Sequence, residues 1–260
     1  MLLQAAPASN PVTTDVLMGA ALALAGLVAL AVLVLGAVTL VGFLVRARDG
    51  TQLAWGGGVG VVEAVARPLV RVVHRTRWVG FEGARIPEGG FVIVANHASG
   101  LDPPLMQFAV SRRVRFLMAQ EQMHPALTRF WKALDVLPVT YTPQDAATLR
   151  EAVRHVKNGG VVGIFPEGGI VRPPCGIAPF KDGSGALIAL TRAPVVLLWI
   201  HGTPTTGNAL LDPLIPRGRA VVELVGIYDF AAIGVRDPKE IGDRLRAELA
   251  KASGWPLREG

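Results

Sequence analysis

Residues 91–104 read FVIVANHASGLDPP, and the fold turns on them. Phe91 to Ala95 is a short apolar run rich in β-favouring residues, with Gly89-Gly90 before it and polar residues after it. Such a run reads as a strand buried on both faces. Asp102 followed by Pro103 reads as an N-cap and first helical residue, so a helix is expected over 103–110. Between strand and helix stand Asn96 and His97, then Ser99-Gly100. On a regular helix, positions i and i+5 lie about 140° apart, so His97 and Asp102 can face one another only across a turn. Ser99-Gly100 supplies that turn. From these residues alone Asp102 has two readings, a helix cap or the partner of His97. The carboxyl end of a buried parallel strand is also where open α/β sheets place ligands.

Toward the C-terminus the strand–turn–helix pattern repeats. Strands are expected at 114–119, 136–139, 161–165, 193–200 and 219–227, and helices near 124–134, 144–158 and 183–192. A last helix, capped by Asp237-Pro238, carries Ile241, Leu245 and Leu249. The fold class that follows is α/β, a mixed, largely parallel sheet flanked by helices. The strand at 161–165 runs into Pro166, Glu167, Gly168 and Gly169, with Arg172 and Lys181 beyond. Glycines permit close backbone approach, and Arg172 and Lys181 suit an anion, Arg as a fork and Lys as a point charge.

Toward the N-terminus the chain changes character. Residues 59–77 read as an amphipathic helix, with Val62, Val65, Leu69 and Val72 apolar and Arg67, Arg71 and Arg75 on another face. That basic face is either solvated or set against anionic lipid headgroups. WGGGVG, residues 55–60, reads as a glycine hinge and lacks the ending of a phosphate-binding P-loop. Residues 16–45 carry no charge, ample length for one N-terminal transmembrane helix preceding the α/β domain. With no basic residue before it and a long apolar core, the segment reads as a retained anchor rather than a cleaved signal peptide. Arg46 and Arg48 follow at once, so the positive-inside rule puts the rest of the chain in the cytoplasm. Residues 1–48 are then tail and anchor, 49–77 hinge and basic helix, and 78–260 the α/β domain.

Composition agrees: 51% of the 260 residues are hydrophobic and 18% charged, too apolar for an ordinary soluble domain. A single cysteine, Cys175, excludes an internal disulfide and fits a reducing compartment. The five histidines show no metal-ligand spacing, so no metal site is expected. The net charge of +6 comes without an aromatic-interleaved basic patch, so no nucleic-acid partner is expected.

Four features in one order, NHASGLD, LPV, FPEGG with its following Arg, and FK…APVV, span roughly residues 78–227. In them the chain resembles the 1-acyl-glycerol-3-phosphate acyltransferases and related glycerolipid acyltransferases. The resemblance implies that His97 is the general base and Asp102 its orienting partner, with Glu167, Gly168, Arg172 and Lys181 binding the acceptor lipid. It implies acyl-CoA or acyl-carrier protein as co-substrate, no other cofactor, a lysophospholipid acceptor and membrane lipids as surroundings. Cys175 is a bystander on this reading, and backbone amides at the helix start after Asp102 are the candidates for an oxyanion site. Two positions depart from the family. Its middle motif runs Gly-x-Ile-Pro-Val-x-Arg, where this chain has Asp135 at the glycine and Tyr141 at the arginine; and Arg172 stands two residues later than the usual arginine. Both weaken the case for 1-acyl-glycerol-3-phosphate as the acceptor and leave His97 and Asp102 untouched.

Overall fold

The computed structural model describes residues 57–140, 142, 145–215 and 218–259, together with 16, 18–30, 32, 33, 36, 37 and 40. The chain divides into two compact units, Met1–Gly50 and Thr51–Gly260. In the first, residues 18–30 are helical, and Met18, Leu22, Leu24, Leu27, Val28 and Leu30 are exposed. Among the described residues no helix is long and apolar enough to cross a membrane. The expected span at 16–45 lies only partly within them.

The second unit opens with α1 (Gly57–Val73), followed by β1 (Arg77–Val79) and β2 (Phe91–Ala95). Then come α2 (Asp102–Phe108), β3 (Val114–Ala119), α3 (Thr128–Leu134), β4 (Leu137–Val139), α4 (Ala146–Lys157) and β5 (Val161–Ile164). The chain ends with α5 (Asp182–Thr191), β6 (Val195–His201), β7 (Val221–Tyr228) and α6 (Pro238–Ser253). The seven strands form one sheet in the order β1-β7-β6-β2-β5-β3-β4. Five neighbouring pairs are parallel and only β6 with β7 is antiparallel, so the sheet is mixed and largely parallel.

Alternation along β2 builds two cores. Phe91, Ile93 and Ala95 face one layer with Leu101, Leu105, Met106 and Phe108 of the α2 region and Val70 of α1. Val92 and Val94 face the other, with Ala152 and Val156 of α4, Leu187 and Ile188 of α5, and Ile241, Leu245 and Leu249 of α6. All five β2 residues are buried, and each large apolar side chain so enclosed is worth about 1.5–3 kcal/mol. A strand covered on both faces cannot slip register cheaply, which fixes where its carboxyl end, and hence His97, stands.

Several expectations need correction at the edges. Gly57, Gly58 and Gly60 lie inside the first turn of α1, while Trp55 and Gly56 of the expected hinge lie outside the described residues. Glycine costs about 1 kcal/mol relative to alanine in a helix, so α1 forms on the packing of later residues such as Val70. The helix ends at Val73, and Arg77–Val79 joins the sheet edge beside β7, a pairing that no local pattern announces. The basic stripe is broken too. Arg67 pairs with Glu63 at 2.9 Å and lies over the Phe108 ring at 4.9 Å, while Arg75 sits beyond the helix with a positive φ of 47°. The helix expected over 124–134 begins as a 3₁₀ turn, Pro125–Leu127, before the short α3.

Candidate active site

β2 and β5 are parallel neighbours, so their carboxyl ends lie side by side. One delivers His97 and the other Glu167, 70 residues apart in sequence. Asn96 steadies the first by acting as an extra rung between strands: its Nδ2 donates to Ile200 O at 2.7 Å and its Oδ1 accepts from Ile200 N at 2.8 Å. The His97 ring stacks on Phe165 at 4.1 Å, and Phe165 stacks in turn on Phe116 at 6.3 Å. An aromatic floor of this kind fixes the imidazole plane while leaving its edge open.

His97 Nδ1 lies 3.0 Å from Asp102 Oδ2. The same oxygen accepts from Ala98 N at 2.7 Å and Ser99 N at 2.8 Å. Asp102 is fully buried, and its Oδ1 has no hydrogen-bond partner among the described residues. The two readings of Asp102 are thereby separated. The helix starts at Asp102 itself with Leu101 as its N-cap, and the carboxylate folds back over the preceding turn instead of capping α2. Because Oδ2 only accepts, the Nδ1–H tautomer fits the contact and leaves the Nε2 lone pair available as a base. The side chain of His97 retains 15% exposure, enough for a substrate proton to reach it.

Glu167 holds the neighbouring strand end in place. Its Oε2 accepts from His97 N at 2.8 Å and its Oε1 from Ala178 N at 3.1 Å. Burial raises its pKa above the ordinary glutamate value, against the opposing pull of those two backbone donors. Both carboxylate oxygens are thus engaged by the protein's own backbone. Gly168 adopts φ +77°, the left-handed region that favours glycine, whereas nothing lies within 4 Å of the side-chain position of Gly169.

Arg172 follows Val171, whose N donates to His97 O at 2.8 Å, so the arginine loop is stitched to the histidine. Arg172 Nη2 donates to Asp212 Oδ2 at 3.0 Å. Lys181 stands apart: it is exposed just before α5, and what ties it to the Glu167 turn is its backbone N, donating to Pro166 O at 2.7 Å. The expected oxyanion donors at the start of α2 fail on covalent grounds. Pro103 and Pro104 have no N–H, and Leu105 N is already bound to Leu101 O.

Asp135, at the position of the family's glycine, has φ 56° and terminates α3 in the left-handed conformation. Aspartate tolerates that region better than most residues, and here it also pairs with Arg115 at 2.9 Å. Tyr141 lies outside the described residues. Cys175 is exposed, and Arg258 Nη2 lies 3.1 Å from its sulfur. A small cavity lined by Ile188, Arg192, Phe230 and Arg236 sits at the amino end of β6, the opposite edge from His97.

One participant escapes the motif reading. Asp212 is fully buried and accepts from Gly100 N at 3.0 Å, Arg172 Nη2 at 3.0 Å, Thr206 N at 2.7 Å and Thr206 Oγ1 at 2.8 Å. Ser99 Oγ donates to Pro204 O at 2.6 Å in the same seam. A sequence cue exists: Leu-Asp-Pro occurs at 101–103 and again at 211–213. The two copies are built alike, each with an α-region leucine before a buried aspartate that accepts from amides of its preceding loop.

Residues 79–201 match the protein-family model described as Acyltransferase. Among solved structures the chain is similar to the crystal structure of the 1-acyl-sn-glycerophosphate (LPA) acyltransferase, PlsC, from Thermotoga maritima. The identity is 17%, the coverage 86% of this chain and 97% of that one, and the TM-score 0.53. At that identity the likeness is one of fold.

Proposed function

We propose that the chain, whose residues 79–201 match the Acyltransferase model, is a membrane-bound enzyme moving an acyl chain from acyl-CoA or acyl-carrier protein to the hydroxyl of 1-acyl-glycerol-3-phosphate. The observation that carries this reading is the 3.0 Å contact between His97 Nδ1 and Asp102 Oδ2 beside an aromatic floor. His97 Nε2 takes the proton of the acceptor hydroxyl as its oxygen attacks the thioester carbonyl. Asp102 steadies the imidazolium that forms. The carbon–sulfur bond then breaks, and the leaving thiolate takes the proton back from His97. One ester and one free thiol result, with no covalent acyl-enzyme and no redox step. Arg172 contacts the acceptor's phosphate, and Glu167 serves by holding the backbone on which His97 and the 178 segment ride.

The anchor belongs to this proposal. The exposed apolar side chains of residues 18–30 support a membrane-seated segment within 16–45, with the Thr51–Gly260 unit on the cytoplasmic side. A second reading keeps the chemistry and changes the acceptor to another lysophospholipid or an amine-containing lysolipid. The neutral Tyr141 at the position of the family's phosphate-binding arginine favours it, because a phenol brings no positive charge to a phosphate dianion. The test is thiol release from acyl-CoA by the detergent-purified full chain across a panel of lysolipids, with His97→Ala alongside. Release that depends on His97 supports the enzyme, and the preferred lysolipid decides between the two acceptors. Silence with both acyl-CoA and acyl-carrier protein leaves a non-catalytic lipid-binding protein.

A further inference from the structure

We propose that Asp212 is a positioning residue of the acyl-transfer site, aiming Arg172 at the acceptor and tying it to the turn that carries His97 and Asp102. This rests on the reading of Arg172 as a contact for the acceptor headgroup.

Enclosing a carboxylate is expensive unless its lone pairs are met by donors, and Asp212 is completely enclosed. Closing its own loop needs only Thr206, whose N and Oγ1 both bind Oδ1. The second oxygen does something else. Oδ2 reaches across to Gly100 N, in the middle of the His97–Asp102 turn, and to Arg172 Nη2 beyond the Glu167 turn. Asp212 therefore joins three segments that sequence separates: the turn after β2, the loop after β5 and the loop after β6.

Arg172 has few other restraints. Its Nε is buried with no partner among the described residues, and its side chain is 27% exposed. The ion pair is thus what fixes the heading of the guanidinium. Burial acts most strongly on Asp212 and favours its neutral form. The donors on Gly100 and Thr206, with the charge of Arg172, outweigh it and lower the pKa, so the ion pair is intact at neutral pH. The loop is also pressed against the turn. A side chain added at Gly100 would lie 1.8 Å from Ala209 O, so only glycine lets the two backbones meet.

The test is a double-mutant cycle in the full chain, reading thiol release against acceptor concentration. Asp212→Asn puts an amide N–H where two donors converge. It is expected to raise the acceptor KM about tenfold, the scale of one charge-assisted hydrogen bond. The expected kcat stays within about threefold, and the acyl-CoA KM is unchanged. In an Arg172→Ala background the same substitution is expected to add less than about twofold, because its route runs through Arg172. A fall in kcat at constant KM, or equal factors in both backgrounds, would overturn the proposal and leave Asp212 a purely structural residue. Should Asp212→Asn fail to fold, Thr206→Val loosens the same carboxylate more gently. Its expected rise in KM must also vanish in the Arg172→Ala background, and persistence there overturns the proposal. Failure of the underlying function looks different: the parent enzyme itself releases no thiol with any lysolipid, and this inference falls with it.

Discussion

Replacing Asp102 by asparagine isolates the charge of the dyad from its shape. Oδ2 accepts three bonds, from His97 Nδ1, Ala98 N and Ser99 N, while Oδ1 accepts none among the described residues. An asparagine has one arrangement that suits this environment. Its oxygen must take the place of Oδ2, because the opposite flip would set an NH2 group against two backbone donors at 2.7 and 2.8 Å. The two loop amides therefore hold the amide the right way round, and His97 keeps its Nδ1–H tautomer. What disappears is the negative charge facing the imidazolium as it forms. A hydrogen bond to a charged group is worth about 1.5–3 kcal/mol and one between neutral groups about 0.5–1.5, so roughly 1–2 kcal/mol of transition-state stabilisation is lost. At 1.36 kcal/mol per factor of ten, kcat should fall about 5- to 30-fold with the acceptor KM nearly constant. The orphan NH2 at the enclosed Oδ1 position should also lower stability by about 1–3 kcal/mol. Steady-state thiol release and chemical denaturation of the same preparation measure both. A loss of about 10⁴-fold would mean that the amide flips and the loop amides do not control it. Activity within twofold of the parent would mean that Asp102 does not act on His97 during the reaction.

His97→Ala removes the base itself and is expected to cost about 10²- to 10⁴-fold in kcat, with a lower melting temperature because the stack on Phe165 and one donor to the buried Asp102 are lost. Equal activity in the variant would remove His97 from the chemistry. Glu167 gives a pH signature. Burial holds its folded pKa above the ordinary glutamate value, so its stabilising contribution is complete below that ordinary value and is lost as pH rises through the raised one. Melting temperatures at acid and neutral pH should therefore differ more for the parent than for Glu167→Gln, and parallel curves would refute the assignment. At Asp135, alanine and glycine remove the same ion pair with Arg115 but treat φ 56° differently. Asp135→Ala should be less stable than Asp135→Gly by about 1–2 kcal/mol in urea, and the reverse order would contradict the left-handed cap. Gly100→Ala should depress both activity and melting temperature, since its methyl would meet Ala209 O at 1.8 Å; an unaffected variant would show that the loop after β6 yields freely.

The parts of the site that could be read ahead of the structure are those coded by neighbours in sequence. The strand ending in Asn96-His97, the turn at Ser99-Gly100 and the buried run ending at Glu167 each carry their own local pattern of apolar residues and breakers. Parallel pairing of β2 and β5 then brings His97 and Glu167 together, as the alternation of strands and helices implies. Two roles could not be settled from neighbours alone. Asp102 before proline reads equally as a cap or as the partner of His97, and the structure turns its carboxylate back to His97, Ala98 and Ser99. Glu167 reads as a ligand for substrate, and its hold on the backbone amides of His97 and Ala178 has no local signal. Asp212 and β1 were hidden for another reason. Each acquires its role from partners more than a hundred residues away in sequence, Gly100 for one and Val221 to Glu223 for the other, and no window of local sequence contains that information.

The segment around Ala178 gives the site a history as well as a shape. Ala178 N supplies one of the two bonds that occupy Glu167, and its own position is secured from far downstream. Ile177 N donates to Pro256 O, Arg258 N donates to Ile177 O, and Arg246 Nε donates to Ala178 O. Residues 246–258 leave the ribosome last, so the backing of Glu167, and through it of the His97 backbone, is completed only once nearly the whole chain has been made.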